Sequence, residues 1–197
     1  RRSSDLLVNA SKITTVNFDA SFAKCTSITS TAYWFFECTK LTVINGIENL
    51  NTSNVTDMCY MFGYCRKLEN LDLSSWDTGK VEDMANMFYR CVGLKTLDVS
   101  HFDTRNVQYM GYLFSDCQSV TTLDVSNFNT AKVTGMYNMF QGCKSVTALD
   151  VSGFETGNVV DMADMFENCA IPTVIDVSHF DTRNVTDMSG MFSGCKN

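Results

Sequence analysis

Two identical octapeptides contain the residue types most often used for acid-base chemistry and metal binding. The sequence SHFDTRNV occupies residues 100–107 and returns at 178–185. The two copies hold the only histidines of the chain, His101 and His179, each two residues before an aspartate and four before an arginine. Histidine changes its charge near neutral pH and is a common metal ligand. Whether the copies form one site depends on how the chain places them.

Nine cysteines are a second potential source of chemistry. Zinc sites use short ligand spacings such as C-x2-C, and the sequence has none. Six of the cysteines recur at one constant interval, at Cys65, Cys91, Cys117, Cys143, Cys169 and Cys195. Side chains that repeat in register run parallel rather than toward one another, which disfavours disulfides. We therefore expect buried free thiols that pack as small hydrophobic side chains.

Cys59 does not belong to that series. The equivalent positions at the same interval hold Ala85, Gly111, Tyr137, Ala163 and Ser189. This mixture indicates an exposed position, so Cys59 is the thiol most able to react. An incidental surface cysteine is the alternative that the sequence favours.

Five aspartates repeat with the same interval on the outward side of a short apolar segment, namely Asp72, Asp98, Asp124, Asp150 and Asp176. Neighbouring like charges repel, by about 1 kcal/mol or less per solvated pair. Ca²⁺ or a basic partner surface could offset the repulsion. A single spaced column supplies few oxygens for Ca²⁺, so the sequence favours local hydrogen bonds within each repeat instead.

Four tyrosines lie at positions that vary between repeats, namely Tyr89, Tyr109, Tyr112 and Tyr137. Tyrosine is common at binding hot spots because it offers a large contact area at a low entropic cost. Another varying slot holds Ser75, His101, Asn127, Gly153 and His179. We predict that the tyrosines, the two histidines and the aspartate column are the candidate partner-binding residues.

Composition and motifs argue against several functions. The formal net charge is −7 and the pI is near 4.7, which opposes binding to nucleic acid. The sequence has neither an apolar run long enough to span a membrane nor a signal-peptide pattern. Hydrolase, metalloprotease and P-loop motifs are missing as well. We therefore predict no enzymatic activity, no cofactor and no metal.

The 26-residue interval of the cysteines organises most of the chain. Phenylalanines and valines keep the same interval, and all eleven methionines fall in two further columns. The consensus is L-x-x-L-D-V-S-x-F-D-T-x-x-V-x-x-M-x-x-M-F-x-x-C. Repeats at a fixed period are typical of stacked architectures, in which each unit buries its apolar side against its neighbours.

Within one unit the apolar period changes. Leu97 and Val99 alternate with Asp98 and Ser100, which predicts a short strand. The following apolar residues are spaced 3, 3, 1 and 3, which favours a short helix or 3-10 segment, with the preceding Asp-Thr pair as its turn and N-cap. A second short strand is the alternative to this helical segment.

Stacking such units predicts an α/β repeat solenoid, a right-handed coil with one parallel β-sheet and short helical or 3-10 segments. We expect residues 1–30 to form an atypical N-terminal capping region. Residues 31–197 would form the solenoid, with about six units of which five are regular. The two histidines are separated by three units, or roughly 14 Å at the spacing of adjacent strands. They are therefore too far apart to share a metal or a proton.

The joined motifs LDVSHFDTRNV and VTDMSGMFSGC resemble the BspA-like leucine-rich repeats of bacterial surface proteins. The resemblance covers about residues 31–197 and implies a non-catalytic module, secreted or on the cell surface, that mediates adhesion. Its partner would be a host or matrix protein or a glycan, with no nucleic acid and no membrane insertion by this fragment. The alternative is a structural spacer in a larger surface protein. Pro172 departs from the pattern and predicts a delayed strand near residues 171–174.

Overall fold

The computed structural model describes residues 10–170 and 174–196. Strands β1 (Thr15–Asn17) and β2 (Val43–Asn45) pair in parallel, as do β3 (Asn70–Leu71) and β4 (Thr96–Leu97). Thr15 lies opposite Val43, 28 residues later, and Asn70 lies opposite Thr96, 26 residues later. The separation in the first pair is thus two residues longer than in the second. The expectation of one parallel sheet is wrong for the described residues, where the named strands form two separate pairs.

The L-D-V segments alternate as expected although their ladders are short. Leu97 and Val99 are buried, whereas Asp98 between them is exposed. The same alternation recurs at Leu123 and Val125, which are buried without belonging to a named strand. Burial of alternate side chains thus persists where the backbone pairing does not.

The M-x-x-M-F-x-x-C segment is not a helix. Between Met84 and Cys91, alternate N–H groups donate to the next repeat, with N···O distances of 2.8–3.1 Å to Tyr109, Gly111, Leu113 and Ser115. The N–H groups of Met87, Tyr89 and Cys91 donate instead to the carbonyl three residues earlier. Isolated parallel bridges mark the same side of the molecule, for example Asp83 with Tyr109. A helix is therefore wrong for these segments, and the alternative with extended pairing is nearer to the structure. The 3-10 helices of the described residues, Ala20–Lys24 and Ile47–Asn49, lie outside the segments.

Left-handed backbone conformations explain why the M-x-x-M-F-x-x-C segments form no helix. Each repeat has two residues at positive φ, four positions apart, such as Asn86 (φ 60°) and Arg90 (φ 57°). Each is the third residue of a tight four-residue turn. In the turn that contains Asn86, the N–H of Met87 donates to the carbonyl of Met84. A positive φ at the third turn residue is typical of type II turns. It reverses the winding every four residues, so helical hydrogen bonds cannot propagate.

A continuous column of phenylalanine rings runs through the core. Neighbouring rings have centroids 5.3–5.8 Å apart and planes within 16° of parallel, in the order Phe35, Phe62, Phe88, Phe114, Phe140, Phe166 and Phe192. Offset stacking of this kind adds to the stabilisation from apolar burial. Methionines pack beside the rings, and Met58, Met84 and Met136 are fully buried.

Five buried threonines join each repeat to the next, namely Thr52, Thr78, Thr104, Thr130 and Thr156. The Thr104 hydroxyl donates to the carbonyl of Asn129 at 3.0 Å and accepts from the N–H of the same residue at 2.8 Å. The other four make the same double contact with the next repeat. The expected N-cap role for the Asp-Thr pair is therefore wrong for the threonine.

Equivalent side chains are not equally covered along the chain. Met188 is 48 % exposed and Phe192 is 44 % exposed, whereas their counterparts in the preceding repeats are buried. Pro172 and its predicted effect on the strand lie outside the described residues. Within residues 10–170 and 174–196, no helix combines the length and apolar character that a membrane span requires.

Candidate functional site

The two octapeptides do not share a centre, because each histidine binds its own backbone group. His101 Nε2 lies 2.9 Å from the carbonyl oxygen of Leu73, and His179 Nε2 lies 3.0 Å from that of Val151. A carbonyl only accepts, so each ring carries its proton on Nε2. Both histidines therefore link adjacent repeats while remaining exposed at the surface.

The remaining charged residues of the octapeptides pair locally. Arg105 Nη2 lies 2.8 Å from the Asp103 carboxylate, and Arg183 Nη2 lies 2.6 Å from that of Asp181. Hydrogen bonding from Arg183 lowers the pKa of Asp181 to about 2. The pairs are exposed, and such pairs contribute little to stability.

The varying slot that contains the histidines has a structural use as well. Asn127 Nδ2 donates to the carbonyl of Ser100 at 3.3 Å, and the Ser75 hydroxyl donates to that of Glu48 at 3.4 Å. Serine, histidine and asparagine in this slot thus all contact a carbonyl of the preceding repeat, whereas Gly153 has no side chain to do so. Four of the five residues therefore have a structural use without a ligand.

All five predicted aspartates are exposed, and their carboxylates bind within their own repeats. Asp98 Oδ1 accepts from the N–H and the hydroxyl of Ser100 at 3.0 and 2.7 Å. The same contact to the N–H two residues ahead recurs at Asp72, Asp124, Asp150 and Asp176. Hydrogen bonds from Ser100 lower the pKa of Asp98. These are the local bonds that the sequence favours over Ca²⁺.

A metal centre finds no support in the described part of the chain, residues 10–170 and 174–196. There, no three His, Cys, Asp or Glu side chains converge as ligands.

The recurring cysteines form a buried column of free thiols up to Cys169, whereas Cys195 is partly exposed. The Cys91 thiol donates to the carbonyl of Phe62 at 3.1 Å, and Cys117 repeats the contact with Phe88 at 3.3 Å. Burial raises the pKa of Cys91 to about 12. Thiolates react and thiols do not, so these cysteines are chemically quiet.

Cys59 is half-buried rather than exposed. Its neighbours in the same column include Ala85 and Gly111, both buried, which contradicts the expectation of an exposed position. Burial, followed by the charges of Asp83 and Asp57, raises the pKa of Cys59 to about 12. The structure therefore favours the incidental cysteine over the reactive one.

Seven aromatic side chains form a continuous surface feature, which we call the aromatic strip: Tyr33, Phe36, Tyr60, Tyr64, Tyr89, Tyr112 and Tyr137. Tyr89 contacts Tyr112 edge to face with centroids 5.4 Å apart, and Tyr112 contacts Tyr137 at the same distance. The structure thus brings together three of the four predicted tyrosines across consecutive repeats.

Two arginines cover part of the strip. The Arg90 guanidinium lies 5.3 Å from the ring centroid of Tyr89 and 5.5 Å from that of Tyr64. Arg66 lies 5.4 Å from the same Tyr64 ring. These are cation–π distances, and Arg90 is also 3.3 Å from the Asp116 carboxylate. The guanidinium groups of Arg66 and Arg90 therefore place positive charge against the middle of the strip.

The fourth predicted tyrosine, Tyr109, is 49 % exposed and belongs to a neighbouring column. Parallel bridges connect this column in the order Asp57, Asp83, Tyr109, Gly135, Asp161 and Asp187. We call its four aspartates the carboxylate row. Each accepts from the N–H two residues ahead, as Asp161 does from Ala163 at 2.9 Å.

Tyr137 connects the strip with the carboxylate row. Its ring lies over the bare backbone of Gly111, where an added Cβ would approach the ring to 2.5 Å. Burial, then Tyr112, then the charges of Asp161 and Asp83 raise the pKa of Tyr137. Aromatic and acidic groups therefore share one surface in this part of the molecule.

The sequence did not reveal Tyr33, Phe36, Tyr60 or Tyr64 as part of this surface. Their contacts depend on the turns, which bring equivalent positions of adjacent repeats together, such as Tyr33 and Tyr60 with centroids 5.1 Å apart. Aligning all seven tyrosines of the chain by repeat position would have found the cluster.

Comparisons with known structures support the fold. A crystal structure of a leucine-rich repeat protein from Eubacterium ventriosum is similar with a TM-score of 0.51 at 13% identity, covering 87% of this chain and 47% of that chain. The chain thus spans about half the length of that protein. The functional domain of InlJ from Listeria monocytogenes, which includes a cysteine ladder, aligns at 13% identity over 88% of this chain and 60% of that chain. The TM-score of this second alignment is 0.13.

No curated protein sequence matches the chain. The resemblance to BspA-like leucine-rich repeats is confirmed at the level of the fold, which has short parallel strands and few helices. A family model matches residues 6–122 and 110–197, which together cover most of the chain. The chain belongs to the family described as "Mycoplasma protein of unknown function, DUF285".

Proposed function

We propose that the chain is a right-handed solenoid of 26-residue units that binds a protein partner through the aromatic strip, without catalysis. A repeat fold of the leucine-rich type is suited to protein–protein interaction. Support for the solenoid comes from bridges between equivalent positions of successive units, which continue from Asp57 to Asp187. Residues 1–30 would cap this stack and residues 31–197 would form it.

The aromatic strip is the observation that carries the proposal. Tyrosine and arginine are the residue types enriched at the centres of protein interfaces. The strip joins six of the seven tyrosines with Arg66 and Arg90 on one surface. Rings that already pack against each other lose little side-chain entropy on binding, which favours a preformed interface.

A non-catalytic role fits the chemistry of the described residues. Leucine-rich-repeat folds are typically non-catalytic. The two histidines bind backbone carbonyls in separate repeats, and burial raises the pKa of the Cys91 thiol to about 12. The side chains best suited to acid-base or nucleophilic chemistry thus have structural contacts instead.

An extracellular, cell-surface location is part of the proposal. The resemblance to surface-protein repeats supports it, and the partner would then be a host or matrix protein. Limited trypsin treatment of intact cells that produce the full-length protein tests this location. We expect surface peptides from this region to be released while a cytoplasmic marker stays intact; protection of the region until lysis would contradict the location.

Binding is tested by surface plasmon resonance with a panel of purified matrix and host-surface proteins. Tyr112→Ser combined with Tyr137→Ser should weaken a binding signal at least tenfold, because hot-spot tyrosines dominate interface energies. His101→Ala combined with His179→Ala changes two exposed residues outside the strip and should leave affinity within twofold. Equal affinities for the wild type and the tyrosine variant would contradict the proposed surface.

A structural spacer is the second candidate. The phenylalanine column and the threonine contacts give every repeat rigid links to its neighbours. A spacer should show no binding to any panel member, and its tyrosine variant should differ only in stability. Retained binding that the tyrosine variant abolishes would exclude the spacer as the whole function.

A further inference from the structure

We propose that the aromatic strip and the carboxylate row together bind an extended protein segment that carries lysine or arginine side chains. The inference rests on the proposed function and names the chemistry of its partner. Basic side chains of the segment would meet the carboxylates of Asp161 and Asp187, and its apolar side chains would pack on Tyr112 and Tyr137.

The charge of the surface changes along the strip. The first part has the positive groups of Arg66 and Arg90 on its tyrosines. Beyond Tyr137 the positions that carry aromatic rings in earlier repeats hold Asp164 and Glu167, which follow Asp161 of the carboxylate row by three and six residues. The strip therefore leads from an aromatic surface onto an acidic one.

The negative charge of the row is not neutralised within the described residues. Four ion pairs join side chains of residues 10–170 and 174–196, and none includes a member of the row. Burial, opposed in part by a hydrogen bond from Ala85, and the charge of Asp57 raise the pKa of Asp83, whereas hydrogen bonds from Ser189 lower the pKa of the exposed Asp187. A basic partner would supply the missing positive charge and would be attracted from a distance.

The linear shape of the surface favours an extended segment over a globular knob. From Tyr33 to Tyr137 the strip crosses four repeat intervals, or about 20 Å at the roughly 4.8 Å spacing of adjacent strands. About six residues of extended chain cover that distance at about 3.3 Å each. Two further repeats add the acidic part, so at the same rise a segment of about nine residues would contact both.

The ring orientations distinguish a protein from a carbohydrate partner. Sugar rings stack on flat, open aromatic faces. Here Tyr112 lies edge to face with both Tyr89 and Tyr137, at interplanar angles of 67° and 81°. Neighbouring rings therefore occupy each other's faces and leave edges and hydroxyl groups for contact, which suits mixed polar and apolar side chains of a peptide.

Fluorescence anisotropy with three labelled decapeptides tests the inference on the full chain. The probes alternate lysine with leucine, glutamate with leucine, and lysine with serine. We expect the lysine–leucine peptide to bind at least tenfold more tightly than either other peptide. Its affinity should fall as NaCl rises from about 50 to about 500 mM, because exposed ionic contacts are screened.

Matched variants separate the charge from the fold. Asp161→Asn with Asp187→Asn keeps the side-chain oxygen that accepts from Ala163 and Ser189 while removing both charges. Asp124→Asn with Asp150→Asn makes the same change in net charge, at carboxylates that accept the same kind of N–H contact outside the strip and the carboxylate row. We expect the first pair to weaken binding about fivefold to tenfold and the second less than twofold.

Equal losses for the two aspartate pairs would overturn the inference, since only overall charge would matter. A second outcome is that Tyr112→Ser with Tyr137→Ser abolishes binding while Asp161→Asn with Asp187→Asn leaves it intact. That result would overturn the basic partner and retain the proposed function. If neither the tyrosine pair nor the Asp161 and Asp187 pair changes peptide binding, the basic partner and the proposed function are both rejected. Preferential binding of a neutral hexasaccharide over all three peptides would assign the strip to carbohydrate and overturn the inference.

Discussion

Replacing Thr104 by valine should destabilise the protein although the side chain keeps its size. Thr104 is 1 % exposed and its hydroxyl serves both the N–H and the carbonyl of Asn129. Valine leaves these two backbone groups without that partner. A buried unsatisfied group costs about 1–3 kcal/mol. These groups are only partly buried, so we take the lower part of that range for each and expect a loss of about 2 kcal/mol.

Thermal unfolding followed by circular dichroism measures the effect. For a chain of this length, a loss of about 2 kcal/mol lowers the Tm by about 4–8 °C. Thr104→Ser keeps the hydroxyl and loses one methyl group, so it should cost only about 1 kcal/mol. Hydrogen exchange adds a local measurement, because the Asn129 amide should lose protection in the valine variant and keep it in the serine variant.

Thr134→Val is a matched control at the surface. The exposed Thr134 hydroxyl also donates to a backbone carbonyl, that of Gln108 at 3.3 Å, but water can replace it there. We expect a change within about 0.5 kcal/mol. If Thr104→Val proves as stable as Thr104→Ser, the buried hydroxyl does not hold the repeats together and the reasoning fails.

Three further predictions concern stability. Thr31→Val should stabilise the fold by about 1 kcal/mol, because the fully buried Thr31 hydroxyl has no hydrogen-bond partner. Denaturant unfolding measures this effect, and a midpoint that is unchanged or lower would refute the prediction. Gly142→Ala should lower the free energy of unfolding by at least about 1 kcal/mol, since φ is 69° and the new Cβ would approach Asp116 Oδ1 to 2.6 Å. Glu37→Gly, at φ 61°, should leave stability unchanged or raise it. Chemical denaturation compares the two variants, and a Glu37→Gly variant less stable than Gly142→Ala would contradict the role of backbone strain. Because burial raises the folded pKa of Cys91 from 9.0 to about 12, its thiol ionises first in the unfolded chain, and the contribution of Cys91 to stability should be constant below pH 9 and fall between about pH 9 and 12. Cys91→Ala should flatten that fall in denaturation at a series of pH values, and equal slopes would exclude the thiol as its cause.

The apolar columns of the fold could be predicted from the sequence together with their register. Residues such as Phe88, Val107 and Cys117 recur at one interval and are all buried. Periodic burial is visible because each column needs the same side-chain chemistry in every repeat. The exposed aspartates and their local hydrogen bonds followed from the same alternation of apolar and polar residues.

The turns could not be distinguished from a helix by apolar spacing alone. Intervals of 3, 3, 1 and 3 place side chains on one face of a helix, and they equally place them inside two successive tight turns. The distinguishing signal lies in the positive-φ positions, where Asn138, Asp164 and Gly190 share one column. Those residue types favour left-handed backbone. Tyr60 and Tyr112 at the same position hid the pattern.

The candidate site was only partly predictable for a related reason. Tyr112 and Tyr137 were identified as varying surface residues, but their partners Tyr60 and Tyr64 occupy columns that an assumed helix would place differently. Contacts between repeats depend on backbone geometry, whereas the sequence pattern mainly reports which side chains avoid water. The interpretation of the strip as a binding surface stays a prediction.

The alternating hydrogen bonds between repeats make the molecule electrically polar along its stacking direction. In six successive repeats, from the one that begins at Thr31 to the one that ends at Asn168, four N–H groups donate toward the higher-numbered neighbour, and fewer point back, as from Gln108 to Glu82. Aligned peptide dipoles of about 3.5 D add, as they do in a helix. Here the positive pole faces the higher-numbered repeats, the reverse of the α-helical arrangement. Asp161 and Asp187 of the carboxylate row lie in the repeats toward that pole.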